Sequence, residues 1–153
     1  MNRGVTLIEM LIVVAIIAVM VGITFPSVSS GIDSLRLMSA ADSLVSFLNG
    51  ALGRAERRQE AIEITVSKTD NSVILRSTEP GYERKLEMPT GVTIENILPP
   101  LPMGTEAERS FLLYPGGAAP RIGVEIANRR GSRRTVSVNP LTGVPQVEQP
   151  ENR

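Results

Sequence analysis

The sequence predicts an α+β protein in which one long N-terminal helix packs on antiparallel β-sheet. Residues 5–25 are almost continuously apolar, and a stripe of Leu and Ala with helical spacing follows between residues 37 and 55. After residue 60 the pattern changes to short alternating segments separated by turn residues, which is typical of antiparallel strands. The 153 residues suffice for one globular domain with an N-terminal extension.

The apolar run is long enough to cross a membrane as a helix. It contains 21 residues, of which only Thr6, Glu9 and Thr24 are polar, and about 20 apolar residues span a hydrocarbon core. This run sets the predicted division of the chain. The parts are a leader at residues 1–4, a transmembrane helix half at 5–25, an amphipathic helix half at 26–58 and a β-rich globular domain at 59–153.

The second half of the helix carries apolar residues on one face. They recur at spacings of four, three, four, three and four: Leu37, Ala41, Leu44, Leu48, Ala51 and Ala55. This spacing indicates an amphipathic helix, and core packing is the expected role of the stripe. Pro26 lies between the two halves and is predicted to interrupt or kink the helix, because proline lacks a backbone N–H.

Period-two alternation and turn residues predict eight strands in the second part of the chain. They are placed at residues 61–66, 72–76, 83–88, 91–98, 110–114, 121–127, 133–138 and 144–148. The proline-rich stretch after residue 98 is predicted to be a loop, because an interior strand does not tolerate that density of proline.

Three interpretations compete for the N-terminal segment. A plain membrane anchor does not explain Glu9, because a lone carboxylate in hydrocarbon is costly. A secretory signal peptide cut after Ser30 would have an apolar region of about 7–15 residues, and this region is longer. A leader cut after Gly4, before the apolar run, fits both observations and is the preferred interpretation.

Each residue around the predicted cut has a physical role in this interpretation. Gly4 has no side chain, so a protease can approach the backbone closely. Arg3 precedes the apolar run and is expected to keep that end in the cytoplasm. Cleavage gives Val5 a new α-ammonium group, which is a natural partner for Glu9 of a neighbouring subunit. Pairing removes much of the cost of burying Glu9 and fixes an axial register between subunits.

Residues 4–11 closely resemble the prepilin signature of type IV pilins and type II secretion pseudopilins. Gly4 matches the residue before the cut, Val5 stands where the family usually has Phe, and Glu9 is fifth in the mature chain. Pro26 falls where many pilins carry a proline. The resemblance implies removal of residues 1–4 by a prepilin peptidase, N-methylation of Val5 and assembly with other pilins through the helix. It also implies a single-pass protein of the bacterial inner membrane, with its N-terminus cytoplasmic and its globular domain periplasmic until it enters the filament.

The second half of the chain resembles the GspH/FimT family of minor pseudopilins and minor pilins. Three segments carry this resemblance: Tyr114-Pro115-Gly116-Gly117, residues 133–138 and Asn139-Pro140-Leu141-Thr142-Gly143. It implies a helix with two β-sheets and a place near the filament tip. The absence of cysteine departs from the disulfide-loop pilins that form many major subunits and favours the minor class.

Composition excludes several kinds of catalytic site. The chain contains no Cys and no His, which excludes thiol catalysis, disulfides, the usual zinc sites and triads with a histidine base. The acidic pairs Glu83/Glu87 and Glu106/Glu108 lack the spacing of a calcium loop and are expected to be solvated. Residues 116–117 lack the Lys-Ser/Thr of a phosphate loop. We expect no cofactor, no metal and no enzymatic activity.

One basic cluster suggests an alternative function. Arg129, Arg130, Arg133 and Arg134 lie within six residues around a predicted turn, and guanidinium groups can contact DNA phosphates. Some FimT-like proteins are thought to bind DNA in natural transformation through a C-terminal arginine motif, and this segment is similar in placement. The simpler interpretation is a solvated hairpin tip, or an arginine cluster that pairs with acidic neighbours in the filament. The predicted primary function is therefore a structural subunit, with DNA-binding minor pilin of a competence pilus as the alternative.

Overall fold

The computed structural model describes residues 5–78, 81–101 and 106–148, with residues 25–30 described by their backbone only. The described chain forms one helix, α1 (Leu7–Arg58), of 52 residues. Eight strands follow it: β1 (Ile62–Ser67), β2 (Ser72–Ser77), β3 (Glu83–Glu87), β4 (Val92–Leu98), β5 (Glu108–Leu113), β6 (Gly123–Asn128), β7 (Arg133–Val138) and β8 (Pro145–Glu148). The α+β class predicted from the sequence is confirmed.

Local side-chain contacts set both ends of α1. Thr6 is the N-cap residue, and its hydroxyl oxygen accepts a hydrogen bond from the Glu9 backbone N–H at 3.4 Å. At the other end Gln59 adopts a left-handed conformation with φ 54°. The side-chain Nε2 of Gln59 donates a hydrogen bond to the Glu56 backbone carbonyl at 2.7 Å, which satisfies one of the terminal carbonyl groups of the helix.

The predicted interruption of the helix at Pro26 is wrong. Helical structure runs unbroken from Leu7 to Arg58 and includes this proline. A proline removes one backbone donor, and the turns on either side keep theirs, so a long helix can pass through it. The two halves differ instead in burial: residues 7–24 are exposed, whereas the stripe from Leu37 onward is buried.

The strands form two four-stranded antiparallel sheets. The first has the order β3-β2-β1-β5, and the second has the order β4-β6-β7-β8. All eight strands lie within two residues of their predicted bounds. The order shows that β4 and β5, although consecutive in the chain, belong to different sheets, which local sequence patterns do not predict.

The core lies where the second half of α1 meets the sheets. All six stripe residues are at most 2 % exposed, and Leu44 and Leu48 are fully buried. The helix packs mainly on β6, β7 and β8, with further contacts to β1 and β4. Buried Val124, Ile126 and Val136 face the helix from the second sheet. Core packing of the stripe is therefore confirmed.

A side-chain amide joins the two sheets. Asn71, in the turn between β1 and β2, donates from Nδ2 to the Val92 carbonyl and accepts from the Ile94 N–H, both at 2.8 Å. Its own backbone has φ 50°, in the left-handed region. Asparagine tolerates this conformation better than most residues and supplies both a donor and an acceptor.

Replacing Asn71 is expected to destabilise the domain by about 1–3 kcal/mol, because Asn71→Gly leaves two part-buried groups of β4 unpaired. Asn71→Ala is expected to cost about 1 kcal/mol more, because alanine adds strain in the left-handed region. Urea unfolding of the full chain in a mild detergent measures both. Equal stability of Asn71→Gly and the wild type would show that the amide bridge contributes nothing.

Candidate functional sites: the N-terminal helix and the arginine hairpin

The first part of α1 has no cover from the rest of the described chain. The window Leu7–Thr24 has a mean hydropathy of 2.8, and none of it is buried. Its 18 residues make a helix about 27 Å long, close to the thickness of a hydrocarbon core of about 30 Å. Large side chains such as Leu7 at 81 % and Ile23 at 70 % exposure would be unfavourable in water. The helix is therefore suited to a membrane or to packing against other helices.

Glu9 lies in the first turn of this exposed helix. Its side chain has no ion-pair partner among residues 5–78, 81–101 and 106–148. Thr6 and Glu9 have the spacing of a capping box, in which the acidic side chain can return to the backbone N–H of the cap residue. A local role as a helix cap therefore competes with the predicted role in assembly. Val5 is exposed just before the helix, and Gly4 lies outside the described residues.

The outward face of the second helix half carries an apolar ridge that the sequence interpretation missed. Ile32, Leu35 and Met38 are 45 %, 67 % and 48 % exposed. Their spacing of three residues places them on one side of the helix, away from the buried stripe. The three-residue spacing could have identified the ridge in the sequence, but it covers only three residues, whereas the Leu/Ala stripe is longer and more regular. The ridge extends the apolar surface of α1 beyond the apolar window Leu7–Thr24.

The predicted arginine cluster forms the tip of the β6–β7 hairpin, here called the arginine hairpin (residues 128–134). Asn128 shapes it: its Oδ1 accepts hydrogen bonds from the Arg130 and Ser132 backbone N–H groups, both at 3.0 Å. Gly131 follows with φ 81°, a conformation that glycine adopts without strain. The turn exposes Arg129 and Arg130 at its tip.

Carboxylates of the same subunit pair with two of the four arginines. Arg130 Nε lies 3.3 Å from Asp33 Oδ2 on α1. Arg133 Nε lies 2.6 Å from Glu95 Oε2 and 3.3 Å from Glu125 Oε1. Glu95 stands at a β-bulge in β4, which directs it out of the regular ladder.

The four arginines do not converge on one surface. Arg133 and Arg134 are consecutive strand residues, so they point to opposite faces of the second sheet. Arg134 shares its face with buried Val136 and is itself only half-exposed. The cluster is therefore compact in sequence but divided in space.

Three of the four carboxylates in the predicted acidic pairs lie beside basic groups. Glu83 contacts Arg76 at 3.1 Å, and Glu106 pairs with Arg109. Glu87 lies 2.8 Å from Lys85. The hydrogen bond from Lys85 lowers the pKa of the Glu87 carboxyl and raises the pKa of the Lys85 ammonium. The two pKa shifts widen the pH range over which both groups stay charged.

Two further contacts join the C-terminal end of α1 to residues that follow the helix in the chain. The Gly116 backbone N–H donates to Glu56 Oε1 at 2.9 Å, which ties the turn at residues 114–117 to the helix. Arg54 Nε lies 2.6 Å from Glu60 Oε1, and its guanidinium stacks on Tyr82 at 3.6 Å from the ring centre. Sequence reasoning missed this largely buried ion pair, because Glu60 lies beyond the end of α1 and its six-residue separation from Arg54 fits no helical pairing pattern.

Comparison with known families matches residues 1–25 to the prokaryotic N-terminal methylation motif. This is the motif of prepilin-type leaders, and it supports a type IV pilin-like or pseudopilin subunit. Such a leader implies processing by a prepilin peptidase and assembly with other pilins, and with its apolar helix it is consistent with membrane anchoring. No curated protein and no solved structure is significantly similar to the chain.

Proposed function

We propose that this chain is a minor pseudopilin or minor pilin of the GspH/FimT type. It is a structural subunit and not an enzyme, and it assembles near the tip of a type II secretion pseudopilus or a type IV pilus. The precursor crosses the inner membrane once, with its N-terminus in the cytoplasm and its globular domain in the periplasm. A prepilin peptidase then removes residues 1–4, Val5 is N-methylated, and the helix packs against other pilins.

The observation that carries this proposal is an uncovered apolar helix that begins within the methylation motif. None of Leu7–Thr24 is buried, and the motif covers residues 1–25. The exposed ridge of Ile32, Leu35 and Met38 continues this surface past the membrane. A helix that is apolar on all sides needs a partner on all sides, first lipid and then the helices of neighbouring subunits.

The alternative is a DNA-binding minor pilin of a transformation pilus that uses the arginine hairpin. Four arginines with about one phosphate each would give a salt slope of at most roughly −3 to −4, and thus weak binding at physiological salt. The geometry weakens this alternative further, because Arg130 and Arg133 are paired with carboxylates and Arg134 faces away from Arg133. The structural role is therefore the preferred proposal.

Leader processing tests the proposal directly. Co-expressed with a prepilin peptidase, the wild-type chain is expected to lose residues 1–4, and Gly4→Leu to keep them, because a side chain at this position blocks close approach to the backbone. Gly22→Leu is the matched control, since a side chain there meets open space. Intact-mass spectrometry reads all three products. A mature chain beginning at Gly31 would instead establish cleavage by a signal peptidase and refute the proposal.

A further inference from the structure

We infer that the arginine hairpin contacts the phosphates of anionic phospholipid headgroups while the subunit is held in the membrane. The inference rests on the proposed function, because it requires the apolar half of α1 to span the bilayer. It assigns a role to the hairpin before assembly, when the subunit is still a membrane protein. Arg129 is the residue expected to make the contact.

Contacts along α1 place the hairpin at the membrane-proximal end of the domain. Arg130 reaches Asp33, which lies nine residues after Thr24, the end of the apolar window. Nine helical residues rise about 14 Å. The headgroup layer occupies roughly 5–8 Å of that distance. The remaining gap of roughly 6–9 Å is comparable with the Debye length of about 8 Å at physiological salt.

The β7–β8 hairpin lies at the other end of the domain, far from the membrane, and fixes the direction of β7 along α1. The turn between β7 and β8 lines a cleft of about 340 Å³ with Leu52 and Glu56 of α1. Glu56 is 32 residues beyond Thr24, or about 48 Å along the helix. Strand β7 thus runs along α1 from the membrane side to the far side, and its first hairpin faces the bilayer.

Charge at the proximal end favours an anion through Arg129. The four arginines and the carboxylates of Asp33, Glu95 and Glu125 sum to +4 − 3 = +1. In the neighbouring turn between β1 and β2, Lys68 and Asp70 cancel each other. Glu108, which lies opposite Ser67 at the same end, is offset by the exposed Arg36, three residues after Asp33 on α1. Arg129 has no carboxylate partner in the described part of the chain, and its side chain lies over Gly91, where a Cβ atom would come within 3.4 Å of Nε. Its guanidinium fork matches the oxygens of a phosphate.

A membrane is a better partner than DNA for so small a site. One available arginine gives little affinity for a phosphate polymer in free solution. The transmembrane helix, however, holds the hairpin beside the headgroups at a high effective concentration, so a weak contact becomes populated. An arginine near an anionic surface shifts the equilibrium between free and lipid-bound hairpin by roughly fivefold.

The absence of native cysteine allows single labels to measure this contact. We place a spin label on Ser132→Cys, at the exposed hairpin tip, or on Leu141→Cys, 94 % exposed at the far hairpin. The full chain is reconstituted in nanodiscs of phosphatidylcholine, with or without phosphatidylglycerol. Accessibility to a water-soluble nickel complex is expected to fall at position 132 when phosphatidylglycerol is present and to stay constant at position 141.

Variants of Arg129 test whether that side chain causes the effect. In the Ser132→Cys chain, Arg129→Gln is expected to lower the equilibrium constant of the lipid contact by roughly fivefold. The lipid-dependent protection of position 132 from the nickel complex should weaken accordingly. Arg129→Lys should retain most of it, because the charge remains. Arg58→Gln, an exposed arginine in the last turn of α1, is the matched control and should change nothing. Circular dichroism confirms that each variant is folded.

The outcomes separate this inference from the proposed function. Alkaline extraction first shows whether the chain is integrated in the bilayer, and failure there overturns the proposed anchoring. An integrated chain whose position 132 is equally accessible in both lipids overturns the inference alone. Displacement of the anionic-lipid contact by a short DNA duplex at physiological salt would instead assign the hairpin to DNA.

Discussion

Replacing Glu9 by Leu or by Gln is expected to leave the chain folded, inserted and processed but to exclude it from filaments. The carboxylate lies on an uncovered helix that is suited to hydrocarbon and has no partner in the described chain. An uncompensated charge in an apolar environment costs several kcal/mol, so a carboxylate at this position indicates a partner supplied by another subunit. The α-ammonium of processed Val5 is that partner in our proposal.

The glutamine variant separates assembly from local capping. Glutamine can complete a capping box with Thr6, whereas it cannot pair as an anion with an ammonium group. Crosslinking to other pilins and recovery of the chain in sheared filaments measure assembly. Thr6→Ala is the control, because it removes the cap and keeps the carboxylate. Normal assembly of Glu9→Gln, together with failure of Thr6→Ala, would assign Glu9 to helix capping and refute the pairing.

Leu44→Ala is expected to destabilise the globular domain by about 2–5 kcal/mol. Leu44 is fully buried in the middle of the stripe, between α1 and the second sheet. Truncation removes its apolar contacts and leaves a cavity, because the other buried stripe residues hold the helix in place against the sheet. Urea unfolding of the full chain in detergent, followed by tyrosine fluorescence, measures the loss.

The matched control is Leu35→Ala on the opposite face of the same helix. Leu35 is 67 % exposed, so its truncation should change stability by no more than about 0.5 kcal/mol. The same variant should weaken incorporation into filaments if the ridge packs against neighbouring subunits. Equal stability losses for Leu35→Ala and Leu44→Ala would contradict the assignment of the two faces.

Local patterns predicted the elements of this fold closely because each element has its own period. The six stripe residues are all buried, and the eight strands begin and end within two residues of their predicted positions. The predicted interruption at Pro26 is the exception, since the helix continues through this residue. A helix depends on the sum of its hydrogen bonds, so the loss of one bond does not end it.

The sequence by itself determined the apolar helix, the methylation motif and the strands, because these depend on composition and on spacing between near neighbours. The tertiary structure decided which arginines of the hairpin pair with carboxylates. Asp33, Glu95 and Glu125 come from three separate elements, and only folding brings them to the arginine hairpin. The division of the strands into two sheets and the Asn71 bridge were likewise decided by contacts between distant segments. A pairing between groups far apart in the chain leaves no periodic signal, since it depends on how the elements pack.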